Sequence, residues 1–137
     1  MMIDNLLVLS DAQAVTAAAA STNVIDLTSV LGSAAMTSAA KVQFLVDTTA
    51  AATGGASNVT FSLQDSADNS SFADVVRSVA IAKATLVAGY VAFQCVIPAG
   101  LRRYVRAYYT PDTNDLTSGK FDARILLDVD RTIDKNL

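Results

Sequence analysis

The chain has 137 residues, 52% of them hydrophobic and 17% charged, with a net charge of −3 and no histidine. A chain of this length and apolar content can bury a core without disulfide or metal staples, which excludes a disordered polyanion. The acidic balance argues against a broad nucleic-acid surface, and without imidazole neither a Ser-His-Asp nor a Cys-His site can be built.

The kind of charge points to secondary structure. All 13 acidic residues are Asp, and only four of the 10 basic residues are lysines: Lys41, Lys83, Lys120 and Lys135. Straight Glu and Lys side chains suit exposed helix faces, whereas Asp, Ser, Thr and Asn compete with the helix backbone and favour turns. With many Val and Thr residues, this composition predicts strands joined by polar turns.

In chain order, Met1 to Asn5 lacks the basic start and long apolar run of a secretory signal, so synthesis in a cytoplasm as a soluble protein is expected. No apolar stretch approaches the ~20 residues that span a bilayer. Leu6 to Leu9 is a short apolar run that Ser10-Asp11 is expected to end as a turn or cap pair. Ala12 to Ala20 has helical composition but no polar face at 3.6 spacing, and Val15 and Thr16 are β-branched; an extended or irregular course is expected. Asn23 to Leu27 is a strand candidate, and Thr28 to Ala40 reads as a loop with room for one helical turn.

Clear alternation follows. Lys41 to Asp47 places Val42, Phe44 and Val46 on one face, and Asn58 to Gln64 alternates without a break, the pattern of half-buried strands. Between them, Gly54-Gly55 marks a flexible connection. Asp65 to Ser71 is a turn-rich loop. Phe72 to Ala82 is apolar, Ala84 to Val87 is a short strand candidate, and Tyr90 to Ile97 is a strand stopped by Pro98-Ala99-Gly100. Arg103 to Thr110 is the next strand, Pro111 to Ser118 a polar loop, and Phe121 to Leu127 a final strand with Phe121, Ala123, Ile125 and Leu127 on one face. About eight strands at intervals of roughly 8–12 residues predict an all-β sandwich, jelly roll or barrel of antiparallel strands. No linker or repeat divides the chain, so one domain over residues 1–137 is expected, with a polar tail over about 130–137.

Few residues suggest chemistry. Cys95 lies in an apolar run with no neighbouring cation or base to make a thiolate, and reads as a small buried hydrophobe. Asp65, Asp68 and Asn69 do not have EF-hand spacing, and a bidentate Glu is impossible without Glu; solvated turn residues are the simpler reading. Asp128 and Asp130 lie two apart but read as solvated charges at a strand end. Gly54-Gly55 lacks the Lys and following helix of a phosphate loop. No catalytic, cofactor-binding or metal-ligating residue is therefore expected, nor is enzymatic activity.

The densest candidate is Arg102-Arg103-Tyr104-Val105-Arg106-Ala107-Tyr108-Tyr109, three Arg and three Tyr in eight residues. On a strand, Tyr104, Arg106 and Tyr108 project to one face and Arg103, Val105, Ala107 and Tyr109 to the other. Arg and Tyr are favoured at protein interfaces because each joins apolar area to directional hydrogen bonds. Arg102, Arg103, Arg106, Tyr104 and Tyr108 are thus candidate partner contacts; an ordinary strand with outward Arg and inward aromatics fits equally well.

Several stretches, in order, resemble phage capsid cement (decoration) proteins of the Bordetella-phage type. These are Ser10 to Val15, Ser21 to Leu27, Ser62 to Phe72, Ala80 to Tyr90, and Pro98 to Tyr104 followed by Arg106 and Tyr108-Tyr109. The similarity runs from about Ile3 to Val129 and fits least well over Thr28 to Ala40 and after Asp130. It implies a jelly-roll cement protein on the outer surface of an icosahedral virion head, bound between major capsid protein subunits and dimeric at two-fold positions. It offers no catalytic residues to carry over; no cofactor is expected, and the charge balance and the short apolar runs argue against a nucleic-acid or membrane partner. A lectin-like or receptor-binding jelly-roll module of a tail or fibre is the alternative, weakened by the absence of Trp and an aromatic content of 7%. A hydrolase is a remote third.

Overall fold

A computed structural model describes residues 7–27, 40–52, 57–98 and 100–127. Ten strands form among them: β1 (Val8–Ala14), β2 (Ala19–Ala20), β3 (Ile25–Asp26), β4 (Ala40–Ala51), β5 (Asn58–Ser66), β6 (Ala73–Arg77), β7 (Ile81–Ala82), β8 (Val91–Val96), β9 (Tyr104–Asp112) and β10 (Ser118–Leu127). One sheet has the order β1-β10-β4-β8; the other is β2-β9-β5-β6, with β3 also beside β9 and β7 also beside β5. All pairs are antiparallel.

The register reduces ten strands to eight positions. β5 occupies one side of β9 from Tyr104 to Asp112, so β2 and β3 must share the other side as one interrupted edge. By the same argument β6 and β7 form one interrupted edge on β5. Numbered along the chain, the positions run first-eighth-third-sixth in one sheet and second-seventh-fourth-fifth in the other. That is the order of a jelly roll, two Greek keys folded over each other. The fold is all-β, as composition and alternation predict.

The alternating residues meet between the sheets. Val42, Phe44 and Val46 from β4, and Phe121, Ala123 and Ile125 from β10, face Val59, Phe61 and Leu63 from β5 and Val105, Ala107 and Tyr109 from β9, all fully buried. Phe44, Phe61, Tyr109 and Phe121 form the centre, with ring centroids 5.3–6.0 Å apart, mostly edge to face. Such ring pairs add about 0.5–1.5 kcal/mol each beyond their area burial. Where β10 begins, Gly119 (φ +142°) brings its backbone against Ala50 of β4; a Cβ there would lie 3.3 Å from Ala50 Cα. Val15 N donates to Gly119 O at 3.1 Å, closing the adjoining β1 turn.

Two local expectations are corrected. Ser10-Asp11 does not end the first strand. β1 runs through it, shifting register around Ala12, which has φ +49° and donates its N–H to Asp122 Oδ1 at 2.6 Å. Ala84 to Val87 is not a strand. Thr85 N bonds Ala82 O and Leu86 N bonds Lys83 O, a turn that drops Leu86 into the core. The apolar stretch Phe72 to Ala82 supplies two strands, β6 and β7, with Ser78 between them: its N–H donates to Phe61 O (2.8 Å) and its Oγ accepts from Phe61 N (3.0 Å). Ala12 to Ala20 is extended at both ends and irregular between. Gly54-Gly55, Asp128, Asp130, the 130–137 tail and all but the end of Thr28 to Ala40 lie outside the described residues.

Candidate functional site

The Arg/Tyr segment divides into three settings within five residues. The turn after β8 returns through Gly100 (φ +89°) and leads straight into β9. At its end Arg102 grips Asp65 at the last turns of β5. The Arg102 backbone N–H donates to Asp65 Oδ2 (3.0 Å), Nε and Nη2 donate to Oδ1 (3.0 and 2.7 Å), and Nη2 also reaches Asp65 O (2.9 Å). Burial alone would raise the Asp65 carboxyl; the hydrogen bonds and charge of Arg102 outweigh it and hold Asp65 below its ordinary value. The same bonds raise Arg102 further. This pair ties β9 to β5 before the ladder begins.

Arg103 turns the opposite way. Its Nε and Nη2 donate to Asp26 Oδ1 and Oδ2, both at 2.9 Å, a two-point fork that holds β3 on the outer side of β9 and raises the Arg103 value. The guanidinium also lies 4.9 Å from the Tyr104 ring centroid. It precedes the strand, so it does not join the inward row that alternation assigns it.

Arg106 sits in mid-strand on the outward face, with Tyr104 and Tyr108 on either side, all half-buried. Its guanidinium lies 3.9 Å above the Phe72 ring and 5.3 Å from Tyr108, and Nε donates to Gln64 Oε1 at 2.8 Å. Gln64 is fixed in turn by donating to Asp74 Oδ1 at 2.9 Å, and Asp74 lies 3.8 Å from Arg77. Among the described residues no hydrogen bond or ion pair holds the terminal Arg106 nitrogens. A guanidinium seated over a ring, with its terminal nitrogens unheld among the described residues, can take a planar acceptor, such as a carboxylate, in two-point fashion.

Phe72, Gln64 and Asp74 are the members that alternation misses. Phe72 lies on the loop between β5 and β6, and Asp68 shapes that loop. Asp68 Oδ1 accepts from Ser66 Oγ (2.9 Å), Ser70 N (2.9 Å) and Ser71 N (3.0 Å), and Asn69 takes φ +61°. The Ser71 N–H, then the Ser66 hydroxyl and the Ser70 N–H, push the Asp68 carboxyl down to about 2. Asp65 and Asp68 are therefore spent on the fold: one holds an arginine, the other its own loop. Cys95 packs half-buried against the core from β8, and burial pushes its thiol upward, away from a reactive thiolate.

Fold and surface together define a jelly-roll β-sandwich with an arginine–aromatic row across the outer face of one sheet. The chain belongs to the Bbp16 family, whose pattern matches residues 9–125 and so runs from within β1 into β10 and includes the whole Arg/Tyr segment. No curated protein matches the chain.

Proposed function

We propose that this chain is a cement protein of a tailed-phage head, bound to the outer surface of the shell between major capsid protein subunits, and not an enzyme. The family name, Bbp16, suggests a Bordetella phage protein, which supports this reading. The observation that carries the reading is Arg106, stacked on Phe72, braced by Gln64 and flanked by Tyr104 and Tyr108 on a sheet face. Such a surface is suited to gripping acidic protein and is rigid before contact, which lowers the ordering cost of binding.

Arg102 and Arg103 support that face without taking part at its centre. They fasten β5 and β3 to β9, and so keep the row flat. A patch of about 800 Å² per partner can bind modestly alone, but a dimer touching fixed neighbouring subunits gains ~10²–10⁴-fold in avidity. Because it binds the assembled shell and not free subunits, cement stabilises the shell by linkage.

The test is occupancy on purified expanded heads stripped of this protein, read by cryo-EM and by titration at two salt concentrations. Arg106→Ala with Tyr108→Ala is expected to weaken binding at least ~30-fold, as for an interface centre worth ~2 kcal/mol, and to flatten the salt response. Arg103→Ala is expected to keep most of both. Unchanged occupancy and salt response in the double variant would overturn the assignment of this face. A virion without the protein would overturn the cement reading itself.

A further inference from the structure

Three strands contribute one cross-strand row to the outer face of the sheet that holds β9. Arg106 of β9 stands opposite Gln64 of β5, and Gln64 stands opposite Asp74 of β6. The second pairing comes from an irregularity. Leu63 pairs with Val76, so an even ladder would set Val75 against Gln64 and Asp74 against Asp65. The register shifts there, and Asp74 takes the place opposite Gln64. Directly opposite residues share a face, so the shift moves Asp74 off the core side, which buried Leu63 and Val76 mark, and onto the outer side.

The row is hydrogen-bonded from end to end. Asp74 Oδ1 accepts from Gln64 Nε2 at 2.9 Å, and Gln64 Oε1 accepts from Arg106 Nε at 2.8 Å. Each bond fixes the direction of the next, because an amide that gives its nitrogen to a carboxylate turns its oxygen the other way, here toward Arg106. Phe72, two residues before Asp74, lies 3.9 Å from the same guanidinium. A guanidinium has two kinds of fork with which to take a carboxylate: Nε with one terminal nitrogen, or the two terminal nitrogens together. Gln64 occupies Nε, so the fork that remains is Nη1 with Nη2.

We infer that Asp74 is a positioning residue of this face: acting through Gln64, it holds the Arg106 guanidinium so that a partner carboxylate is taken by Nη1 and Nη2. The choice of partner group rests on the reading of the face given above; the hold on Arg106 does not. The role runs against simple electrostatics. A carboxylate near an acid-binding arginine repels an acidic partner, so charge alone predicts tighter binding once Asp74 is removed. Positioning predicts the reverse, because an arginine ordered before contact loses less side-chain freedom on binding. Two substitutions separate the effects. Asn has the shape of Asp and no charge, and its Oδ1 can still accept the Gln64 amide; Ala removes the charge and the acceptor together. Asp74 is exposed on an edge strand, so both variants are expected to fold.

The test compares Asp74→Asn with Asp74→Ala in the full chain. In the chain alone, exchange of the Arg106 Nε proton with water is followed by NMR, its signal identified by its loss in Arg106→Lys. Asp74→Ala is expected to speed this exchange at least ~10-fold, and Asp74→Asn to stay within ~3-fold of wild type. Asp74 also lies 3.8 Å from Arg77, and Arg77→Ala is expected to leave the exchange unchanged; faster exchange there would overturn the route through Gln64. On stripped expanded heads, Asp74→Ala is expected to bind ~3–10-fold more weakly than Asp74→Asn, the cost of ordering one long side chain. Equal exchange in the two Asp74 variants would overturn the hold on Arg106. Equal affinity, or tighter binding by the Ala variant, would overturn its part in recognition. Should the wild-type chain fail to dock, the reading of the face falls, while the exchange rates still decide whether Asp74 holds Arg106.

Discussion

The two faces of β9 use the same residue types for opposite ends. Tyr108 and Tyr109 are neighbours, yet Tyr109 is fully enclosed between Phe44, Phe61 and Phe121, while Tyr108 lies half-exposed beside Arg106. Inside, the ring matters and the hydroxyl has no hydrogen-bond partner. Ser10 is near enough to ease ionisation slightly, but its hydroxyl donates to Gln13 Oε1 at 2.6 Å. Outside, the ring is one wall of a guanidinium cradle. The contrast makes the inward row the source of stability and the outward row the surface proposed for recognition, so substitutions can separate the two.

The largest expected effect is on the inward row. Tyr109→Ala empties the centre of the aromatic cluster and is expected to cost about 3–5 kcal/mol by urea denaturation, as large-to-small changes at buried rings do. Tyr108→Ala is expected to cost below ~1 kcal/mol. Equal losses would break the comparison.

Next comes the strand entrance, where the partner decides the cost. Arg102→Ala leaves the Asp65 carboxylate, 11% exposed at its side chain, without its counter-charge. A loss of about 1.5–3 kcal/mol is expected for hydrogen bonds to a charged group, whereas Arg103→Ala at the more open Asp26 pair is expected to lose under ~1 kcal/mol. Asp65 and Asp68 are both held below their ordinary 3.8. A lowered folded value gives stability that is complete above the unfolded value and is lost as pH falls through the folded one. Urea midpoints are therefore expected to fall between pH ~4 and pH ~2, and to fall less in Asp65→Asn.

The smallest effect has the opposite sign. Tyr109→Phe removes only an unpartnered buried hydroxyl, and is expected to leave stability unchanged or raise it by up to ~1 kcal/mol. Burial, with a smaller push from the Asp122 carboxylate, raises the Tyr109 phenol well above its ordinary value of 10. A raised folded value gives stability that is complete below pH ~10 and lost as pH rises further. Tyr109→Phe should remove that part of the alkaline loss, measured by denaturation at pH 8 and pH 11.

The sequence by itself determined the strand class, the central four strands and the inward rows, because alternation at period two is a local property that burial enforces. It also placed Tyr104, Arg106 and Tyr108 on one face. It could not separate Arg102 and Arg103 from Arg106, since their partners Asp65 and Asp26 are 37 and 77 residues away in the chain. Nor could it join Phe72 and Gln64 to Arg106, or tell the turn at Ala84–Val87 from a strand, because apolar content fits both. Which strand ends a sheet among the described strands was likewise decided only by the tertiary fold. An edge is defined by the strands that do not come to lie beside it, and that depends on long-range pairing which no local pattern encodes.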